Sequence, residues 1–490
     1  MTLFSLLFIP LIGGMLAWYS ERLDPTWPRK IALASLLLSW LPLLAFFPFV
    51  EVNALPLWLV EVNYQWIPRL GIQAHLAMDG MSLLLIVLTL LMGLVALSSA
   101  WHEIKQRVGF FYFNLLWTLA GVMGVFLAMD LFLFFVFWEV MLVPMYFLIA
   151  IWGYEQKQYA AYKFFLFTQA GGLLLLLSIA ALVLLHYQQT GILTFNYKIL
   201  LQSPIQSELS YWIALGFTLA FIVKLPAFPF HSWLPDAHTQ APTPASVILA
   251  AVLLKTGGYG LIRFVLPLFP QASVELAPLM LTLAGVGVIY GAMLAFVQTD
   301  LKRLVAYSSV SHMGFVLLGC FAFNMYALQG AMMQMLAHGI STSALFMLVG
   351  MIQHRFHTRD LNQLGGIWQL LPKLSAIGLF FAVASLGMPG LGNFVAEFLV
   401  LLGGFQKYPY FTLAATFGLI LAAVYSLLII YRTFFGPLTT APTPSVQDLN
   451  AREATTLFAM SVLLIMMGLH PQPLLDMVQA QFAQTIGSWS

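Results

Sequence analysis

Charge is what this sequence has least of. Only 8% of its 490 residues are Asp, Glu, Lys or Arg, and the formal net charge is +2. In a soluble globular domain about a quarter of the residues are charged, so the shortage excludes that class. No basic cluster is large enough to suggest nucleic acid. Cysteine is nearly absent as well. Cys320, the one present, sits inside an apolar run, where it reads as a small core residue. It permits no disulfide within the chain and no Cys-based metal or iron–sulfur site. There is no G-x-G-x-x-G after a strand, no Walker A sequence and no HExxH. The sequence offers no evident site for a nucleotide, flavin or haem. This chain alone is expected to hold no metal or cofactor and to perform no redox chemistry.

What it has instead is apolar length. Hydrophobic residues make up 61% of the chain, the mean hydropathy is +0.91, and runs long enough to span a bilayer recur from end to end. The fold class this predicts is an all-α polytopic membrane protein of about fourteen transmembrane helices. The expected spans run near 2–19, 29–47, 76–100, 109–128, 131–151, 162–187, 211–238, 243–266, 274–297, 303–322, 325–350, 374–404, 409–434 and 453–470. The N-terminus has no basic region before its apolar run, so it reads as a retained span rather than a cleaved signal. Pro48–Gly71, with Glu51, Glu61 and Arg69, reads as an extramembrane hairpin, and Thr439–Asn450 as a linker. The tail from Pro471 is weakly amphipathic and is expected at the interface. Odd-numbered loops carry thirteen of the 20 basic residues, Lys302 and Arg359 among them. Even-numbered loops and span ends carry four: Arg69, Lys198, Arg263 and Lys407. That asymmetry places both termini outside.

The remaining three, Lys163, Lys224 and Lys255, fall within spans. A lysine at a bilayer centre costs roughly 2.5–3.5 kcal/mol on insertion scales, so it is rarely there without a task. Pro226 and Pro229 should break the helix right after Lys224, and a broken helix at membrane depth faces protein or a wet cavity. A second break is expected at SLGMPGLGN (385–393), followed by Glu397. It lies five spans after the first, and TQAGG (168–172) is echoed by AHGIS (337–341). An odd offset inverts the second unit, as in secondary transporters. Glu139 lies mid-span; with Lys224, Lys255 and Glu397 it sums to zero charge, which suits a buried hydrophilic axis, although a structural ion pair is the plainer reading for Glu139. His231 and His238 follow Lys224 at intervals of seven. The first is placed to pass protons beyond the break, and the second either does so or only caps the nearby loop. His312 and His338, on neighbouring spans, suit a relay because imidazole titrates near pH 6.5, against the alternative of hydrogen-bonded core histidines. Lys163 either belongs to the path or snorkels to the surface. Asp79 and Asp130 read as helix caps.

WEVMLVPMYFLIAIWG, KLPAFPFHSWLPDAHTQAPTPASVILAAVLLKTGGYGLIRF, QTDLKRLVAYSSVSHMGF and GMPGLGNFVAEF together resemble the antiporter-like subunits of respiratory complex I, bacterial NADH:quinone oxidoreductase, from end to end. The resemblance implies two inverted five-helix repeats with broken helices 7 and 12. It divides the chain into residues 1–108 (three N-terminal helices with the hairpin), 109–266 (first repeat), 267–435 (second repeat) and 436–490 (linker, last span and tail). It further implies that Glu139 and Lys224 form a pair, that Lys255 is the central relay, and that His312 and His338 connect the halves. Glu397 then completes the path. The M type in this family carries glutamate there, whereas the L and N types use lysine. Partners implied are L-type, N-type and small membrane subunits together with lipid, in a bacterial inner membrane. NADH, FMN, iron–sulfur clusters and quinone would be held by partner subunits. The alternatives are a subunit of a multisubunit cation/proton antiporter or of a membrane-bound hydrogenase, or a structural anchor with no ion path.

Overall fold

The computed structural model describes residues 2–44, 57–202, 209–437 and 446–487. Among them eleven helices are long and apolar enough to cross a membrane. They are α1 (Thr2–Ser20), α3 (Gly80–Glu103), α4 (Val108–Leu127), α5 (Leu131–Trp152), α6 (Lys157–Thr190), α9 (Thr243–Leu268), α10 (Pro270–Phe296), α11 (Leu301–Phe321), α12 (Met325–Phe356), α15 (Pro409–Phe434) and α16 (Ala451–Leu469). The other three expected spans are not single long helices. The second appears as α2 (Trp27–Leu38) and a short turn at Leu41–Leu44. The seventh is broken into α7 (Leu209–Lys224) and α8 (Trp233–Gln240), and the twelfth into α13 (Pro372–Ser385) and α14 (Gly392–Lys407). Both breaks fall where the prolines and glycines placed them. In the second, Gly387 and Gly390 take φ of 80° and 91°, a region in which a side chain is strained.

One departure from an all-helical chain is a β-hairpin, β1 (Val60–Ile67) paired antiparallel with β2 (Ile72–Met78). The expected hairpin had ended at Gly71 and the third span had begun near 76. The helix starts later because Asp79 fixes its first turn, accepting from the Ser82 amide at 2.9 Å. Residues 45–47 of the expected second span, Glu51 with the stretch 48–56, and 439–445 of the expected linker lie outside the described residues. Asp130 caps α5 as expected, accepting from the Phe132 and Leu133 amides. The tail is α17 (Gln472–Gly487). It does not present its apolar face outward: Val478 and Phe482 are fully buried, against α12 and α3.

α9 lies at the centre, with every residue of its best apolar window buried. It is apolar around most of its circumference, as a helix enclosed by others is, with Lys255 and Arg263 as its charged exceptions. Its winding loosens into π turns at Leu249–Leu253 and Leu261–Val265, a distortion frequent at functional sites. Around it, α4 packs on α5, α5 on α6 and α6 on α7. Five spans later, α10 packs on α11, α11 on α12 and α12 on α14.

Candidate functional site

Two polar clusters lie inside the apolar bundle. The first holds Glu139 of α5 and Lys224 at the end of α7. A Cβ on Gly172 would lie 2.5 Å from Glu139 Oε1, so the glycine makes the room the carboxylate occupies. Gln169 lies in the same TQAGG stretch. Lys224 is 1% exposed. Its Nζ lies 5.4 Å from the Trp138 ring centroid and 5.6 Å from that of Phe164, within cation–π range. The expected Glu139–Lys224 pair is open. Neither Glu139 Oε1 nor Lys224 Nζ has a hydrogen-bond partner, because the two rings, rather than the carboxylate, surround the ammonium.

The second cluster is continuous with α9. Lys255, fully buried, donates to the Ala250 carbonyl in the π turn, and its Nζ lies 2.8 Å from His338 Nδ1. The His338 ring meets that of His312 edge-on at 5.5 Å between centroids. His312 Nδ1 is 3.1 Å from Glu397 Oε1 and 3.1 Å from Gln334 Nε2. Its Nε2 faces the Tyr425 and Ser385 hydroxyls at 3.1 and 3.3 Å. Gly387 does for Glu397 what Gly172 does for Glu139: a Cβ there would lie 2.6 Å from Glu397 Oε2. The contacts of His312 Nδ1 have a chemical meaning. If the Gln334 amide donates to it, the proton shared with Glu397 sits on the carboxyl. If Nδ1 carries the proton, Glu397 is the acceptor. The geometry accommodates both, which is what a proton-exchanging pair requires.

Lys163, His231 and His238 do not join either cluster. Lys163 does not snorkel freely; its Nζ is 2.7 Å from Asp236 Oδ2 on α8, which also meets Arg303 at 3.3 Å. The pair ties α6 to the far arm of the broken span. His231 sits in the break with its ring 5.4 Å from that of Tyr290 and its Nδ1 unpartnered. His238 caps nothing. It is buried, stacked on Phe346 at 4.4 Å, and both ring nitrogens lack a partner. No hydrogen bond among the described residues joins Lys224 to Lys255.

Four charged residues at the ends of the bundle escaped the sequence reading. At the hairpin end, Arg263 and Asp79 form a buried ion pair at 2.5 Å; Arg263 had been counted as a span-end charge and Asp79 as a cap alone. The eight-residue spacing from Lys255, two turns on one helix face, was the available signal. At the opposite end Lys302, counted as a loop charge, is 1% exposed and donates to the Ala241 carbonyl at 2.5 Å. A cavity of about 990 Å³ opens on that side and reaches Glu103, Thr243 and Gly350. Glu103 accepts from the Thr243 amide at 3.0 Å, at the N-terminus of α9, where the helix dipole favours a carboxylate. Among the described residues no three His, Cys, Asp or Glu side chains gather as a metal site.

Residues 128–422 match the family described as NADH:quinone oxidoreductase/Mrp antiporter, transmembrane. The chain is 52% identical to NADH-quinone oxidoreductase subunit M of Pseudomonas aeruginosa, with 97% of this chain and 95% of that one covered. To the protein of the same name in Escherichia coli K12 it is 50% identical, covering 96% and 95%. A chain in the structure of respiratory complex I from Thermus thermophilus with bound NADH superimposes with a TM-score of 0.88 at 31% identity, covering 99% of this chain and all of that one. With the two breaks, the central lysine helix and its histidine–glutamate chain in place, the chain belongs to the NADH:quinone oxidoreductase/Mrp antiporter family of membrane proteins, in the group of the antiporter-like M subunits.

Proposed function

We propose that this chain moves protons across a bacterial inner membrane as a subunit of NADH:quinone oxidoreductase, driven by quinone reduction in partner subunits. The observation that carries the reading is the chain Lys255–His338–His312–Glu397, a row of exchangeable groups through an otherwise apolar part of the bundle. NADH, FMN, iron–sulfur clusters and quinone belong to the partners, among them L-type, N-type and small membrane subunits. Residues 109–266 and 267–435 act as two inverted units, with residues 1–108 and 436–490 flanking them, and both termini face the periplasm.

In the cycle we infer, protons arrive through the cavity at Glu103. The first cluster is the switch. Bringing Glu139 and Lys224 to about 4 Å is worth on the order of 4 kcal/mol at an effective dielectric of 20, so opening or closing that pair changes how firmly the amine holds its proton by about a thousandfold. Lys255 takes the proton and hands it to His338 Nδ1. His312 and Glu397 then exchange it toward the far side. We assign His231, His238 and Lys163 to the side of the Lys224 break, away from the wall of the cavity at Glu103. Lys255→Ala should cut NADH-driven acidification of inverted vesicles by more than tenfold while the complex still assembles; normal acidification would sink the relay role. The cation/proton antiporter reading is separated by copurification. A tagged chain that brings down no iron–sulfur or quinone-site subunit would favour it.

A further inference from the structure

The two ends of α9 are built differently. At the cavity end stands a carboxylate, Glu103. At the hairpin end the polar side chains are locked against one another. Arg263 Nη2 binds Asp79 Oδ2 at 2.5 Å, and its Nε donates to the Tyr259 hydroxyl at 3.1 Å. That hydroxyl donates in turn to the Phe126 carbonyl at 3.0 Å, and Ser82 Oγ donates to the same carbonyl at 2.6 Å. The guanidinium also lies 5.2 Å from the Trp58 ring. Gln481 of α17 closes the group: with its amide oriented to satisfy both neighbours, the nitrogen donates to Asp79 Oδ2 at 2.5 Å and the oxygen accepts from Arg263 Nη1 at 3.0 Å. Asp79, Ser82, Phe126, Tyr259, Arg263 and Gln481 are buried, and Trp58 is half-buried.

The chemistry of the set is the argument. Arginine does not give up its proton in a protein. The Asp79 carboxylate is held by the guanidinium, by Gln481 and by the Ser82 amide, and an amide side chain does not exchange protons at working pH. Tyr259 stands one turn from Lys255, where a proton heading for the hairpin would need an acceptor. Its oxygen is already receiving from Arg263 and its hydrogen is spent on a carbonyl, so the hydroxyl cannot relay. A fixed cation is also the device that excludes protons from other membrane pores.

We propose that Arg263, Asp79 and Gln481 form a proton-tight seal at the hairpin end of α9, which forces a proton on Lys255 sideways to His338 instead of straight out. These are positioning residues; none of them carries the proton. The inference rests on the relay role of Lys255, and the test keeps the two apart. Whole complex carrying Arg263→Gln is reconstituted into liposomes with a trapped pH dye, and passive proton flow is followed under an imposed potassium diffusion potential without NADH. The seal predicts a several-fold faster leak, with quinone reduction persisting and the steady gradient reduced. Adding Lys255→Ala should return the leak to the wild-type rate, because the opened route runs through that amine. A wild-type leak in assembled Arg263→Gln, or a leak that survives in the double variant, overturns the seal. Should Arg263→Gln not assemble, Gln481→Met decides: it removes the amide clamp alone, and a wild-type leak there is equally fatal. Normal pumping by Lys255→Ala alone would instead remove the relay, whatever the leak.

Discussion

The site residues most legible in the sequence are legible because burying a charge is costly. Lys224, Lys255, Glu139 and Glu397 stand out in apolar sequence for that reason, and the structure buries the two lysines and Glu397 almost completely. Arg263 and Lys302 were hidden by the same logic run backwards: near a span end, a basic residue is assumed to reach water. Their partners, Asp79 and the Ala241 carbonyl, come from distant parts of the chain, and spacing along the sequence does not reveal them. The glycines were only half legible. TQAGG read as small and polar, but that Gly172 clears space for the Glu139 carboxylate depends on how α5 meets α6. Gly172→Ala should therefore push Glu139 aside; overpacking of this kind costs about 1–3 kcal/mol. Pumping is expected to fall several-fold in the assembled complex. Glu139→Asp, one methylene shorter, should restore part of it in the Gly172→Ala background while being harmful alone. An additive loss in the double variant would show that the two side chains do not compete for space.

At the scale of elements, the breaks in the seventh and twelfth spans were readable because proline and glycine act locally. The β-hairpin was readable only as a polar interval, since its strands are set by pairing and by the buried His75. His75 Nε2 donates to Glu61 at 2.7 Å and its Nδ1 accepts from Asn196 at 3.1 Å, the pattern of a neutral ring; Glu61 also binds Lys198 at 2.5 Å. Burial holds the His75 pKa below the usual 6.5 despite the pull of Glu61. Burial raises Glu61, but hydrogen bonds from Lys198 and His75 outweigh it and leave the carboxyl below 4.5. Both values are depressed on folding, so the unfolded hairpin binds more protons as the pH drops. Its stability is complete above pH 6.5. It declines first as the pH falls from 6.5 through the His75 value, and again as it falls from 4.5 through that of Glu61. Hydrogen exchange over Val60–Met78, corrected for the intrinsic pH dependence, should accelerate over those windows. Protection that stays flat from neutral pH to below 4.5 would contradict the linkage.

For the whole molecule, the uneven distribution of basic residues in the loops is the sequence feature that sets orientation. Lys302 is withdrawn from water, and the remaining loop charges on that side still outnumber the others, so the proposed orientation does not depend on it. Cys320 is buried, so the chain supplies little background for thiol labelling. Lys105→Cys and Lys407→Cys, both at exposed positions, should react from opposite sides with a reagent that cannot cross the membrane, the first only in inverted vesicles and the second only in intact cells stripped of their outer membrane. Labelling of both from one side would refute the proposed orientation. The docking of α17 has a consequence in time. Gly80 lets the α17 backbone touch α3, for a Cβ there would lie 1.8 Å from the Met477 carbonyl oxygen. Asp79, Arg263 and Gln481 leave the ribosome in that order, so the lock is finished by the part of the chain translated last. A half-made protein already inserted in the lipid would lack its final clasp, and cells that interrupt synthesis late should lose membrane energisation more than the missing residues alone would suggest.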